Sequence, residues 1–155
     1  MIYFFIILVA LFQIIFANLM AIGNIRPDFL LVFVVFIALS KGPLKAAAAG
    51  ATAGFIKDIL STGAFLNTFS FFLCGVIVGL FAQRFHKEKA FVQPMIVCAA
   101  CVFVSLVYLF LFSRWDYPPP VAMLAGRIGF PTALYTALVT PPLFFLFSKL
   151  TGDAT

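Results

Sequence analysis

Few residues in this chain could do chemistry, and their spacing excludes most of it. The single histidine, His86, lies in a charged stretch from Arg84 to Lys89 with no ligand set around it. Cys98 and Cys101 have the spacing of a redox or metal motif, but no histidine or acidic residue accompanies them. With Cys74 they make an odd number of cysteines inside apolar runs, which argues against a disulfide framework. The five acidic residues are scattered, one of them near the C-terminal end. The chain has no glycine-rich phosphate loop, no G-x-S-x-G elbow and no H-E-x-x-H pair. Ser70 and Ser105 have no base within sequence reach. The residues therefore point away from an enzyme, and to no cofactor or metal.

The charges that need a physical reason are those set among apolar residues, because a charge at membrane depth is costly and usually faces a bundle interior or a cavity. Lys57 and Asp58 adjoin near the end of one apolar segment, and Arg26-Pro27-Asp28 opens another. Pro27 suits a first helical turn, and Asp28 near a helix N-terminus is favoured by the dipole. Arg26 could pair with Asp28 or Asp58, and Arg127 sits toward the same side. The expectation is an outer-leaflet polar cluster of Arg26, Asp28, Lys57, Asp58 and Arg127.

These residues need helices to position them. The chain has 155 residues, 65% apolar and 10% charged, with 22 Phe, and its mean hydropathy is +1.19. A soluble fold of this size has too much surface for its interior to hide that much apolar side chain. The reading is an all-α integral membrane protein, a single domain over 1–155 with six transmembrane helices. The expected spans are 2–22, 28–40, 43–60, 65–82, 94–112 and 128–149. The first is read as a retained helix and not a removed signal, since it lacks a basic n-region. The final apolar stretch, 121–150, is too long for one span. A short interfacial segment before Arg127 and a helix kinked by Pro131 and Pro141-Pro142 are expected there.

Viewed down its axis at 100° per residue, the third helix gathers Ala47, Gly50, Gly54, Lys57, Asp58 and Ser61 on one side. Phe55, Ile59 and Leu60 fall on the other. Gly50-x-x-x-Gly54 lets another backbone approach closely, as does Gly75-x-x-x-Gly79 in the fourth helix. The third helix is expected at the centre of the bundle. Gln13 and Asn18 are read as interhelical hydrogen bonders.

The basic residues set the orientation. With alternating loops, Lys41, Lys45, Arg84, Lys87, Lys89 and Lys149 share the side that holds both termini. Arg26 and Arg114 lie opposite, with Lys57 and Arg127 if they are outside at all. The positive-inside rule places both termini in the cytoplasm. The net charge of +5 forms no dense patch and does not indicate nucleic acid.

The run from Arg26 to Leu31, then Lys41-Gly42-Pro43, then Gly54 to Ser61 with Gly63, resembles the bacterial rod shape-determining MreD family in order and spacing. Arg127, Pro131 and Pro141 before a Phe-rich end resemble that family's last helix. Phe29 stands where the family commonly has Leu. The resemblance implies a non-enzymatic part of the rod elongation machinery in the inner membrane. Its implied partners are MreC directly and, through the complex, MreB, RodA and a penicillin-binding transpeptidase. It also implies a fold similar to the substrate-binding component of energy-coupling-factor transporters.

Two functions of different class follow. One is a scaffold that holds MreC and the synthase, with membrane lipid around it and a homo-oligomer left open. The other is a subunit that binds a small molecule or a lipid intermediate in an outer cavity, for which Asn67, Gln93, Tyr108 and Trp115 are the polar candidates.

Overall fold

The computed structural model describes residues 2–19, 27–61, 65–82, 92–113 and 120–151. They form six helices: α1 (Ile2–Leu19), α2 (Phe29–Lys41), α3 (Pro43–Ser61), α4 (Leu66–Ala82), α5 (Val92–Ser113) and α6 (Pro120–Thr151). No strand occurs among the described residues.

The centre of the bundle is α2 and not α3. The sequence of α2 is apolar on every side until Ser40, and a helix apolar all round is one that is buried all round. No residue from Phe29 to Leu39 is more than 4% exposed. All five other helices pack against it. The small-residue stripe of α3 serves one side only. Its opposite face leaves Phe55, Ile59 and Leu60 exposed, so α3 lies on the rim. Phe33 and Phe36 of α2 meet Phe144 and Phe147 of α6 edge-on or tilted, with ring centroids 5.1–5.8 Å apart.

The largest interface joins α3 to α4, and glycines build it. A Cβ added at Gly50 would stand 2.3 Å from the carbonyl oxygen of Phe71, and one at Gly54 2.5 Å from that of Asn67. Gly75 faces the Ala46 carbonyl and Gly79 faces Pro43 in the same way. The two helices therefore run antiparallel with their backbones in direct contact. Such contact gains dispersion energy that any side chain would forfeit, and it matters where lipid gives helices no hydrophobic drive to associate. Gly42, at φ +87°, makes the one-residue link between α2 and α3. That conformation is easy for glycine and strained for other residues.

The second close pair is α5 with α6. The last helix is continuous from Pro120 and holds Pro131, Pro141 and Pro142 inside it. The expected separate segment before Arg127 is part of this helix. Pro120 fits a first turn, where no donor is needed. Within the helix, the Thr136 and Thr140 hydroxyls bond the carbonyls of Thr132 and Thr136. At 32 residues α6 is long enough, at about 1.5 Å each, to exceed a hydrocarbon thickness of about 30 Å.

By length and hydropathy, one window among the described residues is long and apolar enough to cross a membrane, Pro131–Lys149. The other apolar stretches are shorter, such as Phe29–Lys41 and Leu66–Ala82. In α3, the charged residues Lys45, Lys57 and Asp58 lower the mean. The outward surface is apolar along the bundle, with Phe4, Leu11, Ile59, Phe69, Leu138 and Phe145 all exposed. That surface suits lipid.

Candidate functional site

The polar side chains of the bundle gather where α2 and α4 begin and α3 ends. A helix start leaves backbone N–H groups without partners, and in an apolar surrounding each must be satisfied by protein. Here the two acidic residues do this. Asp28 is the N-cap of α2, and its Oδ1 accepts from the Leu31 N–H at 3.2 Å. Gln13 of α1 reaches across so that its Oε1 accepts from the Leu30 N–H at 2.9 Å. Asp28's own N–H donates to the Thr136 hydroxyl of α6 at 3.2 Å. One helix start is thereby tied to α1 and α6. Pro27, expected in the first turn, stands just before this cap.

Asp58 does the same for α4 from outside that helix. Its Oδ1 accepts from the N–H of Asn67 at 3.1 Å and from the Asn67 amide at 2.8 Å. Its Oδ2 accepts from the N–H of Thr68 at 2.8 Å and from the Thr68 hydroxyl at 2.6 Å. The carboxylate is 4% exposed and receives four bonds, two of them from orphan donors of the first turn. A negative charge at a helix N-terminus also meets the favourable end of the dipole. On the α5 side, Tyr108 comes against Asn67.

Adjacent in sequence, Lys57 and Asp58 point to different helices. Lys57 pairs with Asp28 Oδ2, and its ammonium lies 4.8 Å from the centroid of the Phe71 ring. The pair is part-buried, at 27% and 13% exposure of the two side chains. Four helices, α2, α3, α4 and α6, therefore meet through Asp28, Lys57, Asp58 and Thr136. Chemically this arrangement holds helices in register. Every carboxylate oxygen in it is committed to a donor. Among the described residues no group of three metal-ligating side chains occurs.

Asp28, Lys57 and Asp58 of the expected cluster are brought to one end, with Lys57 joined to Asp28 and Asp58 joined to α4. Arg26 and Gly63 lie outside the described residues. Arg127 is on α6, nine residues before Thr136, which places its backbone about 13 Å along the axis from the level of Asp28. Pro131 lies within α6, one residue before Thr132, whose hydroxyl has no hydrogen-bond partner. Asn67 and Tyr108 are neighbours, whereas Gln93 stands at the opposite end of α5, and Trp115 lies outside the described residues. Those four do not form one lining. Thr68 and Thr136 were not singled out by sequence. A Thr at the third position of α4, and the i, i+4 series Thr132, Thr136, Thr140 in an apolar helix, are the signals that could have found them.

The helix-packing residues Gly50, Gly54, Gly75 and Gly79 all lie in the α3–α4 interface. Ala47 is buried, at the level where Gly75 faces Ala46.

No curated protein and no solved structure matches the chain. A family model does, over residues 1–152, and its description is rod shape-determining protein MreD. With nearly the whole length matched, the chain belongs to the MreD family of rod shape-determining membrane proteins.

Proposed function

We propose that this protein is a non-enzymatic scaffold subunit of the bacterial cell-elongation complex. It binds MreC directly and, through the complex, links MreB filaments to RodA and a penicillin-binding transpeptidase that build peptidoglycan. The observation that carries this reading is the family match across residues 1–152. The polar end adds support, since its carboxylates are engaged as helix caps and the ion pair ties helices together, as suits a rigid part in an assembly. The test is co-purification. Detergent-extracted protein is expected to bring down MreC, and loss of the gene to turn rods into spheres. Absence of association with MreC at any ratio rejects the scaffold reading.

The same reading makes the chain a single domain over 1–155 that crosses the inner membrane six times, with both termini in the cytoplasm. Six packed helices with an apolar exterior support it, as does the basic excess on one side. A reporter fused after Thr155 should be active only in its cytosolic form; activity in an exported form rejects this orientation. The fold is also taken to be similar to that of the substrate-binding component of energy-coupling-factor transporters.

A further inference from the structure

Five helices surround α2, and the ring they make is not closed. α1 packs on α2 and α3, and α6 packs on α2 and α5. Among the described residues no α1–α6 pair of Cα atoms lies within 8 Å. Packed helices stand about 8–10 Å apart axis to axis, so α1 and α6 flank α2 without meeting. From one flank Phe12 of α1 lies edge-on to Phe29, with ring centroids 5.4 Å apart. From the other, Phe144 and Phe147 of α6 reach Phe36 and Phe33.

On its far side α1 also stands partly off its other neighbour, α3. An apolar crevice of about 500 Å³ opens there, lined by Ile6, Ile7, Thr52, Phe55, Ile56 and Thr68. The two threonines in it donate elsewhere: Thr52 to the Ala48 and Ala49 carbonyls of its own helix, Thr68 to Asp58. What α1 turns to the core is a narrow stripe of Ile6, Val9 and Ala10, while Phe4, Leu8, Leu11 and Ile15 are exposed. In lipid an apolar helix has no hydrophobic reason to prefer protein, so packing and hydrogen bonds must hold it. With packing this thin, the bond from the Leu30 N–H to Gln13 carries much of the hold. Withdrawing α1 strands that donor in an apolar setting, which favours its return. The start of α2 survives the withdrawal, because Asp28 caps the Leu31 N–H and Thr136 accepts from the N–H of Asp28.

We propose that α1 is a lateral gate: it swings off α2 into the membrane as a unit, latched by Gln13, while α2 to α6 keep their packing. Opening gives the surrounding lipid access to the buried side of α2. The gate does not depend on which side of the membrane either end faces, nor on association with MreC, so it can fail while the scaffold reading stands.

The test measures distances between spin labels by pulsed electron resonance on the full chain in lipid nanodiscs, with Cys74, Cys98 and Cys101 changed to Ala. One labelled pair joins α1 to α6, at Leu11→Cys and Leu138→Cys. The control pair joins α4 to α6, at Phe69→Cys and Leu138→Cys. All three labelled positions are exposed, so the labels disturb no packing. The α1–α6 pair is expected to show a second, longer distance and the control pair a single one. Gln13→Leu removes the latch and should raise the share of the longer distance severalfold without changing the control. Ala10→Leu wedges α1 outward from the core stripe and serves if Gln13→Leu does not fold. A single narrow α1–α6 distance in the unlatched protein, or a second distance that appears equally in the control pair, overturns the proposal.

Discussion

The α3–α4 and α5–α6 pairs are both antiparallel helix pairs packed on the same central helix, and they are built on different principles. In α3–α4 four glycines bring backbone against backbone, and a carboxylate from one helix caps the other. In α5–α6 one glycine, Gly129, faces a side chain, Ser105, and three prolines interrupt the hydrogen-bond ladder of α6. The first pair can close in one register only, because any offset sets a Cβ against a carbonyl. The second touches through side chains that can rotate, so it tolerates change. The difference teaches where rigidity in the bundle comes from: fixed backbone contacts and helix caps, with apolar bulk in a lesser part.

Gly50→Leu should break the contrast most severely. Its Cβ alone meets the Phe71 carbonyl at 2.3 Å, and neither backbone can yield. A loss of about 3–5 kcal/mol is expected, seen as collapse of the melting temperature in detergent. If Gly50→Leu melts like wild type, the backbone-contact account is wrong. Asp58→Ala comes next, at about 2–3 kcal/mol, since it strands the Asn67 and Thr68 N–H groups in an apolar setting. Hydrogen exchange confined to the first turn of α4 would report that specific loss, whereas uniform protection would reject the cap.

Lys57→Met should cost about 1 kcal/mol, because its pair with Asp28 is partly screened. Combining it with Asp28→Asn should cost less than the two single changes added together, and strict additivity in a double-mutant cycle would show that the ion pair is not coupled. Gly129→Ala sharpens the comparison from the other side. Its added carbon meets only the Ser105 side chain, the hydroxyl at 3.0 Å and Cβ at 3.4 Å, and that hydroxyl can turn away by giving up one bond to the Cys101 carbonyl, a loss offset by the better helix propensity of alanine. A change below about 0.5 kcal/mol is expected, and a large one would place α5–α6 in the same class as α3–α4.

Much of this arrangement was legible in residue order. Small residues recurring at four-residue intervals mark a face that receives another backbone, and Gly50, Gly54, Gly75 and Gly79 all lie in the α3–α4 contact. The central place of α2 was written in its lack of any polar face, but the conspicuous glycines drew attention to α3 instead. The partner of Asp58 was not legible. Periodicity on one helix does not say which residue of the next helix stands opposite, and nearby arginines look like the natural match for an acid. Only the antiparallel register of α3 and α4 brings Asn67 and Thr68 to it. The length of α6 was obscured by its prolines, which ordinarily end helices.

The shortness of α2 has a further consequence. Thirteen residues give it about 20 Å of length, well under the thickness of a hydrocarbon core. A lipid-facing helix of that length would force the surrounding bilayer to thin. Because α2 meets only protein, and its first turn is satisfied by Asp28, Gln13 and Thr136, its length never has to match the membrane. Hydrophobic mismatch falls on the outer helices alone. Reconstitution in lipids of different chain length should therefore strain α5 and α6 before it disturbs the core around which they are packed.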